Sequence, residues 1–103
     1  MEEYENIFVG IISFAGTARS CYIEAIQEAK KGDFDAASKL IEKGQSAYIE
    51  GHRFHAELLA KEASGENISS SLIVIHAEDQ MMSAEVIKSL AEEMIEMYKE
   101  LKG

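Results

Sequence analysis

Histidine and acidic side chains are the groups of this 103-residue chain best suited to hold a metal or carry a reacting group, and there are three histidines to consider. His76 lies in the apolar run SLIVIHAEDQMMS, Ser71 to Ser83, beside Glu78 and Asp79. On a helix it shares a face with Asp79 and Gln80, while Glu78 projects about 200° away around the axis. A carboxylate on an apolar surface is costly unless it is paired, protonated or bound to a cation. An ordinary imidazole is largely neutral at cytoplasmic pH, and a neutral, uncrowded ring nitrogen is a competent nucleophile towards phosphorus.

Other chemistries fit less well. The H-E-x-x-H zinc motif is absent. Ferritin-like di-iron sites need Glu three residues before His, and the residues three before His52, His55 and His76 are Ile49, His52 and Ile73. His52 and His55 are spaced to share a transition metal, although a solvated pair is the simpler expectation. No Ser–His or Cys–His arrangement and no glycine-rich phosphate loop can be read. On residue types alone, three readings stay open. His76 is a phosphoryl nucleophile, or it packs inside a non-catalytic helical interaction module, or the chain is a metal-binding bundle using His52 and His55.

The elements that must position these groups are helices. Ile7, Phe8, Ile11, Ile12, Ala15, Ala18, Tyr22, Ile26 and Ala29 recur at three- and four-residue steps and stop at KKGDF. Gly32 suits a left-handed helix end and Asp33 suits the next N-cap. A second run, Phe34, Ala37, Leu40, Ile41, Ala47, Tyr48, Phe54, Leu58 and Leu59, stops at EASGENISS, with Gly65 as its terminator. Gly44 and Gly51 inside it mark either a kink or a close helix approach. The third helix is expected from about Ile68 to Leu101, some 50 Å long, capped by Asn67 or Ser69. Beyond Met82 it reads as conventionally amphipathic. Short connections give an all-α, antiparallel up-down-up three-helix bundle occupying residues 1–103 as one domain.

One segment strains that picture. Leu72 to Ile75 is apolar on every side of the helix, and such a segment is buried all round. A three-helix bundle covers one face of each member, so the other face needs a second copy of the chain, with helix 3 at the centre of a homo-oligomer. A locally thick core is the alternative.

Composition bounds the partners. There is no proline and no tryptophan, and Ala, Glu, Lys, Leu, Ile and Met, all helix-tolerant, are abundant. Nineteen acidic against ten basic residues give a formal charge of −9, and no basic block exists to release counterions from a nucleic acid or an anionic membrane. Cys21, the single cysteine, has no intrachain partner and reads as a small core hydrophobe. With the acidic MEEYENIF start and no apolar run of membrane-spanning length, a cytoplasmic setting is expected.

Taken together, the motifs resemble a known family. HAEDQMMS is similar to the HAQDHLMT signature of the lactose/cellobiose-type enzyme IIA of the bacterial phosphoenolpyruvate-dependent sugar phosphotransferase system. AGTARS, KKGDFDAA, EASGE and EEMIEMYKELK match further family segments in order along the chain. The resemblance implies that His76 is phosphorylated on its tele nitrogen by the phosphocarrier HPr and passes the group to a cysteine of enzyme IIB while a membrane IIC component imports the sugar. It also implies a homotrimer in which one Asp79 per subunit meets on the axis around a divalent cation, Mg²⁺ being usual. Four letters depart from the pattern. Glu78 and Gln80 stand where Gln and His are usual, and His55 and Ala56 stand where the family has Gln-Thr after His52. No Lys or Arg occurs between Lys61 and Lys88, so phosphoryl charge must be balanced from outside that segment, by docking partners or by Arg19.

Overall fold

The computed structural model describes residues 2–68 and 72–102. They form three helices: α1 Glu2–Lys30, α2 Phe34–Ala63 and α3 Leu72–Lys102. With 29, 30 and 31 residues, each is about 45 Å long and fits the 54 Å long axis of the molecule. Tyr4, near the start of α1, hydrogen-bonds Glu66 just past α2, and Gly32 lies against Lys102 at the end of α3. The helices therefore run up, down and up, as the short connections imply.

α1 is the central member. Tyr4, Ile7, Phe8, Ile11, Ala15, Ala18, Tyr22, Ala25 and Ala29 are all buried, a wide stripe that serves two neighbours at once. α2 and α3 each pack along α1 and touch one another only sparingly. The face α3 gives to this core consists of Ala77, Met81, Ala84, Ala91 and Ile95. The alanines recur every seven residues and let the helices approach closely.

Both breaks are built as their residues suggest. Gly32 has φ +90°, Asp33 N–H reaches back to Glu28 O, and the Asp33 carboxylate accepts from Ala36 N–H at 3.0 Å. Gly65 has φ +100° and Glu66 N–H closes onto Lys61 O, the same left-handed termination. The glycines inside α2 mark close approach and leave α2 unbroken. A Cβ on Gly44 would sit 2.5 Å from the Tyr22 ring, and one on Gly51 would sit 3.1 Å from Met81 Sδ.

Three expectations change. α3 begins at Leu72 rather than Ile68. Ile68 packs against the core from a non-helical segment, so burial of that side chain wins over an earlier helix start. Asn67 is exposed, and Ser69, the other expected cap, lies with the residues just before Leu72 outside the described residues. Leu59, counted with the core stripe of α2, is about half exposed. Leu72 and Ile75 are 83% and 57% exposed, which removes the thick-core reading and leaves an uncovered apolar face.

The Tyr22 side chain is fully buried against Gly44, and its hydroxyl has no hydrogen-bond partner among the described residues. Burial, followed by the nearby Tyr48 and the Glu92 carboxylate, pushes its pKa up to about 12. Below pH 10 the phenol is neutral in both folded and unfolded chains. From there to about pH 12 the unfolded chain ionises first and the fold loses stability. Tyr22→Phe removes that loss. Urea titrations should show its stability relative to the unsubstituted protein rising by about 2 kcal/mol between pH 10 and pH 12.

Candidate functional site

The first turns of α3 send the polar cluster in three directions. His76 is exposed and lines a shallow, open apolar depression with Leu72 and Ile73. Among the described residues no side chain hydrogen-bonds or ion-pairs with its ring. Ala77, the next residue, is fully buried and anchors this turn on the core.

Asp79 is also exposed, but it belongs to a different surface. Leu72, Ile75, Asp79, Met82, Val86 and Leu90 follow one another at three- and four-residue steps, and the five apolar members are each more than half exposed. At 100° per residue this stripe points roughly opposite the Ala77–Ile95 core face. α3 thus has two apolar faces, one against α1 and one uncovered, and Asp79 lies in the uncovered one. His76 stands about 60° to the side of Asp79, at the margin of the stripe.

Glu78 turns the third way and meets α2. His55 Nε2 is 2.7 Å from Glu78 Oε1 and 2.9 Å from Oε2, with the His55 side chain 19% exposed. The solvated pair expected of His52 and His55 is therefore half right. His52 is exposed and stacks along Tyr48 with centroids 6.3 Å apart, whereas His55 is sheltered and committed to Glu78. The two imidazole centroids are 6.1 Å apart, and no group of three or more His, Cys, Asp or Glu able to hold a metal occurs among the described residues of one chain.

Arg19 does not balance charge at His76 within one chain. Ala15 and Met81 both flank Gly51 and so share a level. α1 and α3 run parallel, which puts Arg19 about 13 Å below His76 along the bundle, beyond the reach of its side chain. Between residues 47 and 87 only Arg53 and Lys61 are basic, and Arg53 is engaged with Glu50 at 2.6 Å. Neither arginine is placed to meet anionic charge at His76 within one chain.

Sequence reasoning missed the Glu78–His55 contact and the Tyr48–Glu85 hydrogen bond at 3.4 Å. The available signal for the first was that two of the four residues departing from the family pattern, Glu78 and His55, are of complementary chemistry. It also missed the small-residue core face of α3, although Ala77, Ala84 and Ala91 repeat at seven-residue spacing.

Known proteins share this arrangement. A family model described as "PTS system, Lactose/Cellobiose specific IIA subunit" matches residues 6–99. The lactose-specific EIIA component of Staphylococcus aureus (strain N315) is 41% identical over 98 residues, covering 95% of each chain. The crystal structure of a cellobiose-specific enzyme IIA from Bacillus anthracis superposes with a TM-score of 0.96 at 40% identity, over 99% of this chain and 94% of that one. A chain in the solution structures of the IIA(Chitobiose)–HPr complex of the Escherichia coli N,N′-diacetylchitobiose branch superposes with a TM-score of 0.79 at 31% identity, over 100% of both chains. With the family model spanning nearly the whole chain and the same bundle in solved relatives, the chain belongs to the lactose/cellobiose-specific IIA family of the sugar phosphotransferase system.

Proposed function

We propose that His76 is the residue on which this IIA component carries its phosphoryl group, and that three copies of the chain assemble through the uncovered face of α3. A IIA component of this system is a phosphoryl relay, taking the group from HPr and giving it to enzyme IIB. The observation that carries the assignment is the exposed, unpartnered imidazole at the edge of an apolar depression. The tele nitrogen, Nε2, attacks the phosphorus of the donor phosphohistidine. Its N–P bond forms as the donor's N–P bond breaks, and the donor imidazole leaves with the electron pair. In the second transfer a cysteine thiolate of IIB attacks the same phosphorus, the P–S bond forms, and His76 is released as leaving group.

The chain's own contribution is placement. Ala77 anchors the turn on the core, Leu72 and Ile73 give an apolar surface that excludes water around the transferring group, and the docking protein supplies the cationic or amide donors. No helix of the described residues is long and apolar enough to cross a membrane. We place the relay in the cytoplasm, where phospho-HPr is made.

The surface of α3 supports the assembly. One carboxylate in an exposed apolar stripe is an unfavourable surface for a lone chain. Three copies packed stripe to stripe bring three Asp79 carboxylates together, an oxygen donor set that suits a hard divalent cation such as Mg²⁺ and no soft metal. That cation would neutralise the converging charge on the axis. Asp79 would be its ligand in each subunit, and His76 stands outside the ligand set.

Incubating the chain with phosphoenolpyruvate, enzyme I and HPr should add the mass of one phosphate per chain, lost again in mild acid as an N–P bond is. A chain that gains nothing under conditions where HPr is phosphorylated is an interaction module instead.

A further inference from the structure

We infer that Glu78 and His55 are positioning residues for the relay, a side-chain clasp from α2 that fixes the turn of α3 carrying His76. The inference rests on the reading of His76 as the phosphoryl acceptor. It concerns two residues to which that reading gives no part.

The packing shows why a clasp matters at this place. α2 and α3 each lean on α1 and scarcely touch one another. At the His76 end α3 has just begun, and Leu72, Ile73 and Ile75 are exposed, so only Val74 and Ala77 hold the first turns to the core. Alanine makes few contacts and resists rotation about the helix axis weakly. A helix start that rocks by a few degrees swings an exposed imidazole at its rim by an ångström or so, a displacement large enough to slow an in-line transfer severely.

The clasp is suited to stop that motion. His55 Nε2 lies within 2.7 and 2.9 Å of the two Glu78 oxygens, so one N–H is held between both acceptors across two helices. Of the polar contacts between α2 and α3 among the described residues, the other, Tyr48 Oη to Glu85, is longer at 3.4 Å and lies about two turns down α3. The Tyr48 and His52 rings line up along α2 behind His55, with His52 6.1 Å from it, which limits where the His55 ring can turn. Glu78 projects about 200° from His76 around the helix, so its charge does not face the incoming phosphoryl group. It acts through the backbone it shares with His76.

The same geometry explains the pair of unusual letters. A carboxylate at position 78 accepts a charge-assisted hydrogen bond from the imidazole N–H at 55, where two facing amides make a neutral one. Truncating either side chain removes the contact outright. The two positions behave as one unit.

Four proteins test this: the unsubstituted chain, His55→Ala, Glu78→Ala, and the double substitution, each with phospho-HPr as donor and its helicity checked by circular dichroism. Each single substitution is expected to lower the single-turnover rate of transfer at saturating donor by roughly three- to tenfold with KM for phospho-HPr unchanged. The double substitution is expected to be no slower than the slower single, because either truncation alone already opens the contact. Singles at full rate, a double whose loss is the product of the two single losses, or an effect on KM alone would each overturn the clasp, the last by making these residues part of the docking surface. An unsubstituted chain that takes no phosphate, or labelling that survives His76→Gln, would instead overturn the reading of His76 itself.

Discussion

His76→Gln is expected to take up no phosphate from phospho-HPr, with transfer reduced by at least about 1,000-fold while helicity and assembly stay as they were. The effect is large because nothing else in the chain can substitute. His52 lies on α2 stacked along Tyr48 and does not line the depression of Leu72 and Ile73, and His55 Nε2 is already facing the Glu78 carboxylate. The effect is clean because His76 is exposed and makes no side-chain hydrogen bond with the described residues, so stability should change by less than about 0.5 kcal/mol. Glutamine keeps a polar side chain of similar reach and lacks only the nucleophilic ring nitrogen. Intact-mass measurement after incubation with phosphoenolpyruvate, enzyme I and HPr reads the first expectation, and circular dichroism with sedimentation reads the second. A His76→Gln chain that still gained one phosphate would place the acceptor elsewhere.

The helices and their breaks were legible because their signals are local. Gly32, Asp33 and Gly65 act within a few residues of themselves, and a three- to four-residue apolar repeat on α1 leaves little choice of face. His76 stands out in the sequence for the same reason, as a reactive residue type in a recognisable run, while its exposure beside Leu72 and Ile73 is a tertiary fact. What could not be read was tertiary. Whether Gly44 bends α2 or admits Tyr22 depends on a residue 22 positions away, and whether Glu78 repels phosphate or grips α2 depends on His55, 23 positions away. The start of α3 was misplaced because Ile68 had two ways to be buried, in a first helical turn or in the connecting segment, and periodicity does not distinguish them.

α3 shows the limit of single-chain periodicity most plainly. Val86, Leu90, Met97 and Leu101 share one repeat with Ile87, Ile95 and Tyr98, so the sequence reads as one broad apolar face. The structure divides them, with the second group on or beside the core and the first group more than half exposed. Apolar content beyond what the bundle uses is the physical trace of an interface, and it runs the length of the helix. The proposed relay site and the proposed interface then meet at Leu72, Ile75 and His76.

Introducing charge on that face should separate the subunits. Met82→Glu with Val86→Glu places two carboxylates per chain where two side chains, 64% and 57% exposed in the isolated bundle, would be buried by three copies. Each lost apolar burial costs on the order of 1 kcal/mol per subunit, and each uncompensated charge adds more. The product is expected to sediment as a helical monomer at micromolar concentration, where the unsubstituted chain runs at three times the monomer mass. Asp79→Leu should act in the opposite sense. It removes the only charge from the Leu72–Leu90 stretch of the stripe and replaces a carboxylate that must be neutralised with one that packs, so the assembly should persist and melt several degrees higher without added metal. Mg²⁺ should raise the melting temperature of the unsubstituted assembly and leave that of Asp79→Leu unmoved. Should Asp79→Leu fall apart to monomers, the cation rather than the apolar stripe holds the subunits together; should the unsubstituted chain itself be monomeric, the stripe has another occupant.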